Sequence, residues 1–339
     1  MTTLEADISL YKAEQEAIPF TLANEDAWVD YKEFRPTYPQ SMLDLWFDYH
    51  SRHGGNFDAV HDVGAGKSTF QFCYPTVGGG ILSQLLARSF NHVFVSDPGQ
   101  ANLTAARAAL RPASQFTLQL ATGEESWLPT SSIDFVAMGE CFHWMDTERA
   151  LAAASSSLKP GGTFAAVFYS VTMHFPQHPR LDALLQNAEI EAFRGFYNDS
   201  ARFQSPEMMA APPRMQRGFN TLELPDEKTS GFHDWTRVNI NLHGRSDVDA
   251  FNFVPEELFP IPASQVKASE RVIELEDKSW SREVDVDYVK RFLLSISLPY
   301  DERCWGHPSW VEFERIINDE FGGKVIAEWP VAIILGSKK

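Results

Sequence analysis

The chain has 339 residues, 44% of them hydrophobic and 13% aromatic, and a formal net charge of −17 at pH 7. Such a composition supports one large domain, or a core with a cap, and excludes disorder over most of the length. The acidic balance, without a Lys/Arg cluster, argues against a nucleic-acid or anionic-membrane partner.

Cys73, Cys141 and Cys304 are widely spaced, with neither CxxC spacing nor a His/Cys cluster nearby. Reduced thiols and no metal site are therefore expected. The opening Met-Thr-Thr-Leu-Glu-Ala-Asp is acidic and lacks the basic-then-apolar order of a secretion signal. No apolar run approaches the ~20 residues that cross a bilayer. These features predict a cytoplasmic protein, a monomer or homodimer, that acts on a small molecule.

Strand and helix patterns alternate from residue 57. Phe57–Val63 reads as a strand closing on glycines, and Ile81–Phe90 as a helix with Leu82, Leu85, Leu86 and Phe90 on one face. His92–Ser96 is a short buried strand ending at Asp97, followed by an alanine-rich helix over Ala101–Leu110. Strands follow at Phe116–Leu120 and Ile133–Met138. A helix over Thr147–Leu158 stops at Lys159-Pro-Gly-Gly162, and Thr163–Tyr169 is the fifth strand. The pattern weakens over 171–266, which reads as a substrate cap beginning with a helix at Leu181–Phe193. Val272–Leu275 and Lys324–Gly336 return to strand character around helices at Val286–Leu294 and Trp310–Phe321. The expected organisation is an N-terminal helical lid (1–56), a ligand-binding core (57–170), a cap (171–266) and a C-terminal part that completes the sheet (267–339). The expected fold is α/β: a doubly wound, mostly parallel, seven-stranded Rossmann-like sheet. Asp62–Gly66, Asp97 and Gly139–His143 would all lie at the carboxyl ends of strands, where such sheets bind ligands.

The stretch His61-Asp-Val-Gly-Ala-Gly-Lys-Ser-Thr69 fits more than one chemistry. As Gly64-Ala-Gly66-Lys67-Ser68-Thr69 it is similar to a phosphate loop. However, residue 61 is histidine where that motif needs glycine, and Pro75 with three later glycines leaves no helix to hold phosphate. A dinucleotide loop wants glycine where Thr69 stands. With Lys67–Gly78 excised, the chain reads Asp62-Val-Gly64-Ala-Gly66-Gly79-Gly80 and runs straight into a helix. Asp97 then follows the last glycine by about seventeen residues, the spacing of a ribose-binding acid.

On these residues the chain resembles the class I S-adenosylmethionine (SAM)-dependent methyltransferases, and within them the trans-aconitate 3-methyltransferase-like group. Tyr31-Lys-Glu-Phe34-Arg35-Pro36-Thr-Tyr38-Pro39 looks like the family's lid. Asp62–Gly66 looks like its first motif, and Ser96-Asp97-Pro98 like the end of its second strand. Gly123-Glu124 with Leu128-Pro129 looks like the loop beside the adenine. Gly139-Glu-Cys-Phe-His143-Trp144-Met-Asp146 looks like the motif at the fourth strand, and Leu158–Gly162 like the turn before the fifth. The resemblance covers most of 27–170 and returns more weakly from about 270 to 336. It departs at Ser295-Ile296-Ser297, where the group commonly has Thr-Trp-Ser.

The resemblance implies SAM as cofactor, held by Asp62, Gly64, Gly66, Gly80, Asp97 and Glu124, with Tyr31 and Tyr38 closing over it. Methyl transfer from a sulfonium is an in-line displacement that needs alignment and exclusion of water. His143 is the candidate base for a hydroxyl acceptor; beside Trp144 it is equally suited to shaping the pocket. A carboxylate acceptor needs no base. It would instead meet an arginine, with Arg35, Arg237, Arg291 and Arg303 as candidates. Trp144, Trp305 and His307 are candidates to line the acceptor side. The expected reaction is O-methylation of a carboxylate or hydroxyl on an organic acid or secondary metabolite. Carbon or nitrogen acceptors stay open. A SAM-fold scaffold without activity is the alternative, prompted by the split glycine loop, and a phosphate-loop hydrolase is a more distant one.

Gly66-Lys67-Ser68 can be encoded by codons containing GTAAGT, the usual start of an intron, so the interruption at 67–78 can be read as a retained intron. The alternatives are a genuine insertion that bulges away and leaves Gly66 and Gly80 in place, or one that spoils the close backbone approach the glycines permit. Sequencing the mature transcript decides: a message without these codons is the outcome the intron reading expects, and one that contains them removes it.

Overall fold

The computed structural model describes residues 34–65, 80–199, 209–296 and 300–339. Helix α1 (Gln40–Arg52) precedes strand β1 (Ala59–Val63). There follow α2 (Ile81–Leu86), β2 (His92–Asp97), α3 (Gln100–Ala109), β3 (Phe116–Leu120), β4 (Ile133–Gly139), α4 (Thr147–Ser157) and β5 (Leu158–Tyr169). β4 is buried along almost its whole length, as a central strand covered on both faces must be. β3, at the sheet edge, is largely exposed.

Beyond β5 come α5 (Pro179–Asp199), β6 (Gln216–Phe219), β7 (Phe232–Ile240), β8 (Arg271–Leu275) and β9 (Ser281–Val284). The chain then forms α6 (Val286–Ser295), α7 (Pro308–Arg315), β10 (Val325–Glu328) and β11 (Val331–Lys338). The main sheet has the order β3-β2-β1-β4-β5-β11-β7-β8. Within it only β11 runs against its neighbours; every other pairing is parallel. Strand order reverses between β1 and β4, and at such a switch point the diverging crossovers open a crevice at the carboxyl edge.

The doubly wound, mostly parallel sheet is as expected, with eight strands rather than seven. The stretch 171–266, read as a cap, supplies β7 to the main sheet, between β11 and the edge strand β8. Its polar residues hid it: Thr236, Arg237 and Asn239 are buried together with Val238 and Ile240, so the strand lacks an apolar signature. The apolar strand expected at the end of 324–336, Val331–Leu335, is β11, and a second strand, β10, precedes it. Pro330 has no N–H to carry a ladder through, and β10 instead pairs with β9 in a separate two-stranded sheet. β5 begins at Leu158, so Lys159-Pro-Gly-Gly162 lies within the strand. Gly161 there takes φ +79, and the register against β4 shifts between Ile133 and Phe135.

Helix α1 lies on the sheet through Trp46, whose ring is 5.8 Å from Phe135. His50 hydrogen-bonds the Thr163 hydroxyl (2.8 Å) and the Asn56 carbonyl (2.8 Å). Burial of each such large ring contributes about 2–3 kcal/mol.

Arg237 joins β7 to the segments around it. Its guanidinium pairs with Glu270 and donates to the carbonyls of Phe219 (2.5 Å) and Leu222 (2.8 Å). Both side chains of the pair are almost fully buried. Removing one partner strands the other charge in a medium that solvates it poorly. Arg237→Met should therefore cost about 3–5 kcal/mol of unfolding free energy in urea titration, and a loss below about 1 kcal/mol would show that the pair is not structural.

Candidate active site

The rim is built first at the tip of β1. Asp62 is fully buried and accepts from the Ser83 hydroxyl (2.5 Å) and the Ser83 N–H, which holds the amino end of α2 on the strand. Gly64 follows with φ +67, a conformation that disfavours other residues. A Cβ at Gly64 would lie 2.8 Å from the Cys141 Cβ, so the loop also approaches the end of β4 closely. The N–H groups of Gly64 and Ala65 both donate to the Ser96 carbonyl (2.8 and 3.2 Å). Gly80, with φ +84, then donates to the Ala65 carbonyl (2.8 Å). The chain thus leaves the loop at Ala65 and resumes it in hydrogen-bond contact with the point of departure. Gly66 and Lys67 lie outside the described residues, as does Tyr31.

Asp97 ends β2 and is 3% exposed. Its Oδ1 accepts from the Gly99 N–H (2.7 Å) and Asn102 Nδ2 (2.6 Å), which fixes the carboxylate plane at the strand tip. It lies close enough to Asp62 for its charge to disfavour ionisation there. Gly123 follows β3 and lies against β1: a Cβ on it would be 3.0 Å from Val63 Cγ1 and 2.4 Å from Met145 Sδ. Glu124 accepts from the Asp146 N–H (3.0 Å), so it ties the loop after β3 to the turn after β4.

That turn carries the third part of the site. Glu140 takes φ +57 and accepts from the Tyr169 N–H (2.6 Å), a link from β4 to β5 that sequence reasoning did not single out. A one-turn helix at Phe142–Trp144 follows. Asp146 caps α4 by accepting from the Arg149 N–H (3.1 Å), so the His-Trp-x-Asp spacing has a local structural cause. His143 is buried with its ring 5.1 Å from Phe168, and its carbonyl accepts from Arg214 (3.2 Å). Tyr38 lies over the end of β4: its hydroxyl would be 2.5 Å from a Cβ at Gly139.

Arg35 donates to the Ser295 carbonyl (3.2 Å), and its guanidinium lies 5.8 Å from the Tyr169 ring and 5.6 Å from that of Phe292. It is thereby brought to the carboxyl end of β5. The other arginines considered pair with acids, although Arg303 also lies 5.1 Å from the Phe196 ring. Arg237 is the buried partner of Glu270, Arg291 pairs with Asp287 on α6, and Arg303 pairs with Asp301. Trp305 packs on Tyr300 (6.1 Å) and Trp310 (4.7 Å) under the Lys290 ammonium. Trp144 stands beside His143, ring to ring at 5.3 Å. His307 caps α7 by accepting from the Ser309 N–H (3.2 Å).

Burial pushes the Asp62 carboxyl up to about 7 against the opposing Ser83 hydrogen bonds, and Asp97 adds to the rise. A carboxyl raised in the folded state favours the protonated native form, so this contribution is complete below the unfolded value near 4 and lost as pH rises to about 7. It amounts to at most about 4 kcal/mol. Urea unfolding of Asp62→Asn between pH 4 and 7 should show a flatter pH dependence than the unsubstituted protein; equal slopes would contradict the burial argument.

Residues 75–166 match the methyltransferase domain family. The chain is similar to a methyltransferase of Claviceps purpurea, 27% identical over 318 residues that cover 93% of this chain and 92% of that one. It is also similar to the methyltransferase AacuQ of Aspergillus aculeatus, 27% identical over 314 residues (92% and 93%). Among solved structures, the YcgJ protein of Bacillus subtilis aligns with 88% of this chain and 99% of its own, at 13% identity and a TM-score of 0.42. The positive-φ turn at Gly64 and the oriented carboxylate of Asp97 stand on adjacent strands. The domain match and the near-full-length likeness to fungal methyltransferases, on a Rossmann-like sheet of this order, support a class I SAM-dependent methyltransferase, with S-adenosylmethionine as the cofactor they indicate.

Proposed function

We propose that the chain methylates an oxygen, the hydroxyl or carboxylate of a small organic acid or secondary metabolite. The observation that carries this reading is one rim with two halves. Glycine and acid positions gather at β1 and β2, and an aromatic, arginine-bearing wall gathers at β4 and β5. The narrower kinship with the trans-aconitate 3-methyltransferase-like group draws on the segment ending Arg35-Pro36-Thr-Tyr38-Pro39 and on His143–Asp146.

SAM, when bound, supplies an electrophilic methyl group on a sulfonium. Gly64, completed by Gly66 and Gly80, lets backbone approach the methionine portion. Asp97 accepts from the ribose hydroxyls, its orientation set by Gly99 and Asn102. Glu124 holds the loop after β3 beside the adenine while it anchors Asp146. Asp62 acts from beneath, by keeping α2 and the loop in place. Tyr38, which lies over the end of β4, covers the crevice and excludes water.

On the acceptor side, Arg35 meets an acid group and Trp144 forms a wall. Trp305 acts through Tyr300, against which it packs. For a hydroxyl acceptor, a ring nitrogen of His143 takes the proton as the oxygen–carbon bond forms. For a carboxylate His143 has no proton to take and only orients the acid.

Mass spectrometry of small molecules released from the purified protein should find S-adenosylhomocysteine. Asp97→Asn should weaken SAM binding about 10–100-fold in isothermal titration, the value of a charge-assisted hydrogen bond. Undiminished SAM affinity in that variant would remove Asp97 from the site.

A further inference from the structure

Helix α5 buries Leu181, Leu185, Ala188, Ala192, Phe193 and Phe196 along one face, the spacing of an apolar stripe. Glu189 lies in the middle of that stripe and is fully buried. An acid there is costly unless paired or neutral, and leucine or methionine would fill the position without that cost. The Thr172 hydroxyl is near enough to favour ionisation. Even so, neither carboxyl oxygen has a hydrogen bond of normal geometry among the described residues. Burial lifts the carboxyl to about 8, so at neutral pH it keeps its proton and has an O–H to donate.

The surroundings locate this group. Thr172 follows closely on the carboxyl end of β5. Tyr300 is buried and lies within the fields of Glu189 and Arg35, and Arg35 lies by the Tyr169 ring at the same strand end. The Phe196 ring is 5.6 Å from that of Tyr300. A buried carboxyl without a hydrogen bond of normal geometry among the described residues, near Thr172 and within the field felt by Tyr300, therefore lies by the acceptor half of the rim.

We infer that Glu189 is a specificity-determining residue: its carboxyl donates a hydrogen bond to a hydroxyl oxygen of an aromatic acceptor, at a position other than the oxygen that is methylated. This rests on the methyl-transfer reading above. It explains the acid in the stripe, because sites that hydrogen-bond a ligand hydroxyl select strongly against analogues that lack it.

Binding of 2-naphthol and of naphthalene to the full chain, saturated with S-adenosylhomocysteine, tests it. The unsubstituted protein should prefer 2-naphthol by about tenfold or more. Glu189→Gln, which keeps a donor, should retain most of that preference. Glu189→Leu should abolish it while S-adenosylhomocysteine affinity stays unchanged and the melting temperature is equal or higher. No preference in the unsubstituted protein, a preference that survives in Glu189→Leu, or a melting temperature lowered by several degrees in that variant would each overturn the inference. Failure of the unsubstituted protein to bind S-adenosylhomocysteine would instead overturn the methyl-transfer reading, and this one with it.

Discussion

Parallel pairing of β1 with β2 and β4, and of β4 with β5, places the ends of all four strands at one edge of the sheet. Each strand delivers its chemistry there: Gly64 from β1, Asp97 from β2, Gly139 to Trp144 from β4, and Tyr169 to Thr172 from β5. The rim is then tied crosswise. Ser96 accepts from Gly64 and Ala65, Glu124 reaches Asp146, and Glu140 reaches Tyr169. Parallel strands cannot be joined by short hairpins, so the crossover helices spread to both faces and leave this edge open.

The glycine loop is anchored on both sides of its interruption. The chain departs after Ala65 and resumes at Gly80 with a hydrogen bond between the two. The strand tip, the Ser96 contacts and the start of α2 are held on either side of that point. Closing a longer loop adds little entropic cost once its ends are held. The anchors that hold them, Asp62 to Ser83 and Gly64 to Ser96, belong to the sheet and α2 rather than to the excursion.

Two buried acids illustrate opposite uses of a charge-bearing group. Glu270 is matched by Arg237, which also satisfies two backbone carbonyls, so the pair joins β7 to the loops beside it. Glu189 has no such match among the described residues. Pairing accounts for the first, whereas the second breaks the apolar pattern of its helix with only the Thr172 hydroxyl near it.

Much of this was legible in the chain itself. Apolar runs ending in Asp62, Asp97 and Gly139 marked strands and their functional ends, because alternation of strand and helix together with terminal glycine and acid is a local signal. Local signals could not reveal β7, whose buried Thr236, Arg237 and Asn239 read as polar until Glu270 and the carbonyls of Phe219 and Leu222 come together around Arg237. Nor could they separate Arg35 from Arg237, Arg291 and Arg303: all four are equivalent on paper, and only packing brings Arg35 beside Tyr169 while the others meet acids elsewhere. Glu189 lay between the two cases, its misplaced position visible in the stripe from Leu181 to Phe196 but its neighbours not. Sequence determined the order of the elements and the chemistry at their ends, because backbone preference and hydrophobic period act between near neighbours. Tertiary structure alone decided which distant side chains share a cavity wall, because that depends on burial and pairing across strands far apart in the chain.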